Sequence, residues 1–205
     1  MIASALADAL AVLFPVDCVG CGAPDRVVCS GCRSVLHPSP ERRELPGLAV
    51  VSGLDYGGVA RRVMLALKEQ QRTEAADALA PALLAAVRQH PPGALVVPVP
   101  SSRRSGAARG YDPLRAVAIR AGIRPRRLLS VRREGALQKS MDAGARALNR
   151  RGAFVALRRL DGVPVLLVDD VVTTGATLIE AARALRAAGA EVRGAAVVAS
   201  TAKRL

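Results

Sequence analysis

The chain has 205 residues and a formal net charge of +13, with 51% hydrophobic, 23% charged and 2% aromatic residues. This length accommodates one domain with a real core plus a small appendage, and it excludes two full-sized enzymatic domains. No apolar run approaches the roughly 18 residues that a membrane span needs, so we expect a globular chain without a membrane span.

The basic charge bears on possible partners. It favours polyanions such as nucleic acid, or phosphorylated substrates, and a solvated arginine-rich surface explains it equally well. With two tyrosines, two phenylalanines and no tryptophan, the chain has almost no side chains on which single-stranded bases can stack. Any nucleic-acid binding is therefore expected to be largely electrostatic.

The first segment, MIASALADALAVLFPVD, is apolar but lacks the basic start of a secretory signal, and Asp8 interrupts it. We interpret it as a short amphipathic helix that packs on the body of the protein. Because nothing in the sequence indicates secretion, we expect the chain in the cytoplasm.

Cysteines follow as two Cys-x-x-Cys pairs in the stretch CVGCGAPDRVVCSGC, at Cys18, Cys21, Cys29 and Cys32. Two such pairs around a short turn supply four thiolates that can meet at one point, as tetrahedral zinc requires. A disulfide framework is the alternative, and it suits secreted chains better. Since sulfur fills all four ligand positions, the zinc would be structural.

The segment after the cysteines, HPSPERRELPG, is rich in proline and charge and is interpreted as a linker that ends near Gly47. We therefore assign the N-terminal helix, the zinc module and the linker to residues 1–46. The main domain is assigned to residues 47–205.

Strands and helices alternate through the main domain. Apolar and β-branched runs predict strands at LAVVSGLDY, GALVVPVP, VLLV and VRGAAVVAS. Helical spacing predicts helices at GGVARRVMLALKEQ, from about Thr73 to His90, at PLRAVAIRAGI and at ATLIEAARALRAAG. This alternation predicts an α/β fold with a parallel sheet flanked by helices on both faces.

Two acids, Asp169 and Asp170, follow VLLV and so stand at the carboxyl end of a central strand, where open α/β sheets bind ligands. The next residues lead into a helix, and their N–H groups, the hydroxyls and the helix dipole define a phosphate site. These residues are Val172, Thr173, Thr174, Gly175, Ala176 and Thr177. The loop has neither the Gly-Lys-Ser/Thr of a Walker loop nor the three spaced glycines of a dinucleotide site.

Carboxylates beside an anion site fit a ligand that has a phosphate at one end and neighbouring hydroxyls at the other. Adjacent ribose hydroxyls are donors that suit Asp169 and Asp170, while a 5′-phosphate suits the loop. The alternative, a helix cap plus a surface salt bridge, suits poorly a pair that follows four buried apolar residues.

The stretch VLLVDDVVTTGAT resembles the signature of type I phosphoribosyltransferases. A four-cysteine knuckle followed in order by YGGVARRVMLALK, VVPVPSSRRSGAARGYD and RREGALQKSMDAGARALNRRGAF is similar to the ComF family of competence-associated proteins. This resemblance implies a type I phosphoribosyltransferase-like domain behind a small zinc-binding module. It also implies binding of phosphoribosyl pyrophosphate with magnesium, through the acid pair and the phosphate loop, with Asp169 and Asp170 as catalytic residues.

The resemblance implies two further groups of residues. The pyrophosphate loop comprises Pro100, Ser101, Ser102, Arg103 and Arg104, whose arginines would offset leaving-group charge. A lid that excludes water comprises Arg132, Gln138, Arg146 and Asn149. For each arginine, an exposed position without a role in binding is the alternative.

The sequence departs from the family pattern in two places. Arg109, Gly110, Tyr111 and Asp112 stand where Arg-Gly-Phe-Asn is expected, which adds an acid near an anion site. In LKEQQR, Lys68 matches the family but the turn after it does not.

Two functions from different classes follow from these features. One is an enzyme that transfers the phosphoribosyl group to an unidentified acceptor and releases pyrophosphate. The other is a non-catalytic competence or DNA-uptake protein that binds single-stranded DNA, with other competence proteins as partners, through the same basic fold.

Overall fold

The computed structural model describes residues 16–24, 26–100, 111–132 and 152–201. The strands are β1 (Glu41–Leu45), β2 (Leu48–Asp55), β3 (Leu95–Pro98), β4 (Leu129–Val131), β5 (Phe154–Ala156), β6 (Pro164–Val172) and β7 (Glu191–Ser200). The helices are α1 (Ser30–Val35), α2 (Gly58–Glu69), α3 (Ala76–Arg88), α4 (Pro113–Arg120) and α5 (Ala176–Ala187), and a 3₁₀ turn (Thr73–Ala75) precedes α3. The predicted N-terminal helix falls on residues 1–17, most of which lie outside the described residues.

The central sheet has five strands in the order β1-β2-β7-β6-β3. The last four run parallel to one another, and β1 pairs antiparallel with β2. The predicted α/β fold with a mostly parallel sheet is therefore confirmed. Because β6 lies between β7 and β3, its carboxyl end opens at the middle of the sheet edge where parallel α/β folds bind ligands.

Alternate residues of β6 supply the two cores of the domain. Leu166 and Val168 pack with residues of α2, α3 and α4 on one face of the sheet. Val165 and Leu167 pack with residues of α5 and of the β4–β5 pair on the other face. A strand that is apolar on both sides is typical of a parallel sheet covered by helices, which explains the continuous run VLLV.

The segment predicted as a linker contains a strand, so that prediction is wrong for residues 41–45. In β1, Arg43 lies opposite Val50 and Leu45 lies opposite Leu48. The sheet thus begins before the predicted boundary at residue 47. The sequence ERREL hides this strand because an edge strand has few buried positions, and only Leu45 of the five is buried.

Strands β4 and β5 were also absent from the predicted elements. They form a separate antiparallel pair in which Val131 lies opposite Phe154. Each has only three residues, which is too short for a period of two to be distinguished from a loop.

None of the helices in the described ranges has the length and apolar content that a bilayer crossing requires.

Candidate functional site

The acid pair lies within β6 rather than after it. Asp169 lies opposite Val197 of β7, and the strand continues to Val172 before the chain turns into α5. Both carboxylates therefore belong to the last residues of a central strand, whose backbone is held by hydrogen bonds to β7. A rigid strand fixes the direction of each side chain, as a binding site requires.

Asp169 has an unusual environment for a carboxyl group. Burial, followed by the neighbouring charge of Asp170, raises the pKa of Asp169 to about 8. The backbone N–H of Asp170 donates to Oδ1 of Asp169 at 2.9 Å and partly offsets this rise. The folded chain thus favours the protonated form of Asp169 more than water does.

Asp170 forms an ion pair with Lys68, whose Nζ lies 2.7 Å from Oδ2. The two side chains are 25% and 26% exposed, so the pair is less screened than an ordinary surface bridge. Lys68 comes from the last turn of α2, on a different part of the chain. The fold thus brings this lysine to the acid pair, although the turn that follows it departs from the family pattern.

The loop between β6 and α5 presents donors at a helix start. Thr173 and Thr174 are exposed, and Gly175, the N-cap of α5, has a φ of +82° that favours glycine. Oγ1 of Thr174 accepts from the N–H of Ala176 at a long 3.4 Å. The first turn of α5 contains no acidic side chain, so the positive end of this helix is available to an anion.

The strand β1 packs directly against this loop. A Cβ at Gly175 would lie 2.2 Å from Cδ1 of Leu45, which no real structure tolerates without a shift. Nη1 of Arg43 donates to the carbonyl oxygen of Thr173 at 2.9 Å. The predicted phosphate site thus depends on a strand more than a hundred residues away, and no signal in ERREL indicates this.

Asp112 serves as the N-cap of α4. Its Oδ1 accepts from the backbone N–H of Arg115 at 3.1 Å, and Pro113 occupies the first turn. Asparagine and aspartate cap helices about equally well, which explains how an acid can stand where the family pattern has an amide. The negative charge of Asp112 nonetheless affects the acid pair, because it contributes to the raised pKa of Asp169.

Most of the predicted pyrophosphate loop and lid lies outside the residues that the structure describes. Ser101, Ser102, Arg103 and Arg104, like Gln138, Arg146 and Asn149, lie outside the described residues. Pro100 follows β3 and lines a cavity of about 410 Å³ together with Asp112, Arg115 and Arg127. Neither acid of the pair is among the residues that line this cavity.

Arg132 lies at the end of β4, where the predicted lid begins. Its backbone N–H donates to the carbonyl oxygen of Ala153 at 2.8 Å. The N–H of Gly152 donates to Oε1 of Glu180 at 2.7 Å, and Glu180 belongs to α5. The residues on the two sides of the predicted lid are therefore hydrogen-bonded to the rest of the domain. On the C-terminal side, Gly152 is bonded to α5, the helix that follows the predicted phosphate loop.

The four cysteines form a compact cluster in which all Sγ atoms lie within 4.8 Å of one another. None of the four forms a disulfide, and Sγ of Cys21 and Sγ of Cys29 are 3.6 Å apart. Zinc–sulfur bonds of about 2.3 Å in a tetrahedron place sulfurs about 3.8 Å apart, so the cluster fits a four-thiolate metal site. The cysteine spacing in the sequence thus correctly predicted a cluster of this kind.

Backbone donors favour the thiolate form at one cysteine of the cluster. Burial acts to raise the pKa of Cys18, but N–H groups outweigh it and lower the pKa to about 6. The N–H of Cys29 is one of these donors, at 3.3 Å from Sγ. Burial and the neighbouring cysteines instead raise the pKa of Cys32 to about 12, because a further negative charge is disfavoured beside the other sulfurs.

The cysteine cluster packs against the body of the domain. Cys18 and Cys32 belong to the same apolar core as Val63 and Leu67 of α2. Nε of Arg62 donates to the carbonyl oxygen of Gly20 at 2.6 Å. The cluster and the ion pair of Lys68 with Asp170 are consequently connected by a single helix.

Comparison with known proteins agrees with this geometry. Residues 107–205, just under half of the chain, match the family described as the phosphoribosyl transferase domain. The adenine phosphoribosyltransferase of Mycobacteroides abscessus is 40% identical over 95 residues, which cover 44% of this chain and 52% of that enzyme. The chain thus spans about half the length of this curated relative.

Similar solved structures include the allosteric regulatory enzyme of purine biosynthesis, with a TM-score of 0.40 and 24% identity. Another is the glutamine phosphoribosylpyrophosphate amidotransferase from B. subtilis, with a TM-score of 0.38 and 25% identity. Each match covers 62% of this chain and 26% of the other. Together with the family match, the described sheet establishes a phosphoribosyltransferase-like fold that carries a four-cysteine cluster near its N-terminus.

Proposed function

We propose that the chain binds phosphoribosyl pyrophosphate and transfers its phosphoribosyl group to an acceptor, with release of pyrophosphate. The observation that supports this most directly is the order of groups along one strand end. Asp169 and Asp170 project from β6, and the loop that follows leads into the acid-free first turn of α5. This order, with hydroxyl acceptors followed by phosphate donors, suits a ribose 5-phosphate.

In this proposal, Asp169 and Asp170 accept hydrogen bonds from the 2′- and 3′-hydroxyls of the ribose. The bond from C1 to the pyrophosphate oxygen breaks, and its electron pair leaves with pyrophosphate. The acceptor's nucleophile bonds to C1, and the acceptor's proton passes to the departing pyrophosphate or to water. Carboxylates near C1 stabilise the positive charge that develops on the ring. The ionised form of Asp169 is required for this, and hydrogen bonds from the ribose hydroxyls would favour that form.

Magnesium fits the same place by donor chemistry, since carboxylate oxygens are the ligands that it prefers. When bound, it would neutralise charge on the pyrophosphate leaving group. Pro100 to Arg104 would face that group, and the segment from Arg132 to Asn149 would cover the sugar, as proposals carried over from the family resemblance. Zinc is the metal that we propose for Cys18, Cys21, Cys29 and Cys32, in a structural role.

Two measurements test the proposal. Incubation with labelled phosphoribosyl pyrophosphate and magnesium should bind the ligand, and adding the correct acceptor should release pyrophosphate. Calorimetric titration with ribose 5-phosphate and its 2-deoxy analogue tests the acid pair. The Asp170→Asn variant should lose about 1 to 3 kcal/mol for the ribose ligand and much less for the deoxy sugar. Equal losses for both sugars would contradict this assignment.

A second candidate function is non-catalytic binding of single-stranded DNA, as a competence or DNA-uptake component. The net charge of +13 is the observation that favours it. Such binding would be electrostatic, so affinity should fall steeply with salt and depend little on base sequence. Sequence-selective, salt-insensitive binding, or no binding at low salt, would count against this candidate.

A further inference from the structure

The strand β1 places an arginine where a buried apolar residue would be expected. Arg43 lies opposite Val50, and Leu45 lies opposite Leu48, so both belong to the face of the sheet that carries α5. Leu45, Leu48 and Val50 are buried in the core beneath that helix, whereas Arg43 is a partly buried cation on the same side. A charge in such a position calls for a polar partner.

The partner that Arg43 contacts is the predicted phosphate loop. Its Nη1 donates to the carbonyl oxygen of Thr173 at 2.9 Å. Its Nε is buried and has no hydrogen-bond partner among the residues that the structure describes. Within those residues it also forms no ion pair with a carboxylate, unlike Lys68, whose charge is matched by Asp170. A desolvated donor and an unmatched positive charge thus lie against the loop.

We propose that Arg43 is a positioning residue for the phosphate end of the ligand. Its guanidinium fixes the carbonyl of Thr173, which orients the loop, and its unmatched charge raises the positive potential that a phosphate dianion meets there. This inference rests on the proposed function and adds a residue from β1 that lies outside the stretch of the family match, residues 107–205.

The neighbouring Arg42 offers a matched control. It lies opposite Val51, which packs in the core on the other face of the sheet. Its Nε lies 2.8 Å from Oε1 of Glu44, and the two side chains are 62% and 66% exposed. Arg42→Gln and Arg43→Gln therefore remove the same charge from adjacent positions of one strand, and only the second removes it from the loop.

Calorimetric titration of the full chain with ribose 5-phosphate and 2-deoxyribose 5-phosphate tests the proposal. Arg43→Gln should weaken both sugars by roughly tenfold, because the lost interaction is charge-assisted and concerns the phosphate. Arg42→Gln should change either affinity by less than about twofold, because an exposed charge is screened by salt. Repeating the titrations at several salt concentrations should give a shallower salt dependence for Arg43→Gln than for the wild-type chain, an effect that loop distortion alone would not produce.

An Arg43→Lys variant keeps the charge but loses the planar fork. It should retain the wild-type salt dependence with an affinity between those of the wild-type chain and Arg43→Gln, and it carries the test if Arg43→Gln does not fold. Equal affinities for Arg42→Gln and Arg43→Gln, or an unchanged salt dependence in Arg43→Gln, would overturn the proposal while leaving the proposed function intact. If the wild-type chain binds neither sugar phosphate, the proposed function itself fails.

Discussion

The cysteine cluster and the strand-end site are built in opposite ways. The cluster uses four identical side chains from one short stretch of chain, and their Sγ atoms all lie within 4.8 Å of one another. The strand-end site uses different side chains from distant stretches, with Lys68 on α2 and Arg43 on β1 meeting Asp170 and Thr173. A local site can be recognised from spacing, whereas a distributed site emerges only when the sheet brings its parts together.

The two regions nevertheless share one structural element. Helix α2 packs on Cys18 and Cys32 through its apolar face, and its last turn delivers Lys68 to Asp170. The cluster was expected to stand apart from the main domain behind a linker. Its packing against α2 implies instead that loss of the metal would be felt in the core of the domain.

The largest expected effect tests this shared element. Cys18→Ser should release about one zinc per chain and lower the free energy of unfolding by more than about 4 kcal/mol, since metal binding there is part of folding. Metal content by mass spectrometry and urea unfolding provide the measurements. Ser30→Ala, an exposed change in α1, is the control and should alter neither quantity. A Cys18→Ser chain without metal but with undiminished stability would show that the cluster is a separable appendage.

The next effect sharpens the comparison at the strand-end site. Gly175→Ala should cost about 3 kcal/mol, because it adds a clash with Leu45 to an unfavourable φ of +82°. Gly93→Ala is a matched control, with a φ of +92° and nothing within 4 Å of an added Cβ, and should cost about 1 kcal/mol.

The contact with Leu45 can be separated from the φ penalty by a double variant. Leu45→Ala in the Gly175→Ala background should recover part of the loss, so the two changes should be less than additive in urea unfolding. Equal costs at Gly93 and Gly175, or full additivity with Leu45→Ala, would mean that β1 does not support the loop.

The contrast between local and distributed features also explains which parts of the molecule can be predicted from the sequence. The parallel sheet, the helices and the cysteine cluster follow from local patterns of apolar spacing and residue type. The strand β1 does not, because ERREL has one buried residue and its pairing with β2 is decided by the turn at Gly47, where φ is +68°. The roles of Leu45 and Arg43 depend on contacts with Gly175 and Thr173 far along the chain, and a local pattern does not indicate such contacts.

A smaller effect concerns Asp169 and pH. A carboxyl group whose pKa is higher in the folded chain than in the unfolded chain holds its proton more tightly when folded. Its contribution to stability therefore declines as pH rises from about 4 to about 8 and stays constant above that range. Asp169→Asn removes this decline and keeps an oxygen that can accept from the N–H of Asp170.

The measurement is the difference in unfolding free energy between Asp169→Asn and the wild-type chain at a series of pH values. The variant should gain about 1 to 3 kcal/mol relative to the wild-type chain between pH 5 and pH 8, while losing ribose binding. Groups common to both chains cancel in this difference. A difference that does not change with pH would contradict the burial of charge at this end of β6.

The smallest effect concerns Asp112, which caps α4 locally and also affects the pKa of Asp169 in the strand-end site. Asp112→Asn should change stability by less than about 0.5 kcal/mol, because asparagine caps a helix as well as aspartate does. Asp112→Ala should cost about 1 kcal/mol, because the N–H of Arg115 loses its acceptor. Both variants remove a negative charge that raises the pKa of Asp169, so that pKa, followed by NMR of the carboxyl carbon, should fall in each by a similar amount. A stability loss in the Asn variant as large as in the Ala variant would mean that the charge of Asp112, and not its cap, stabilises α4.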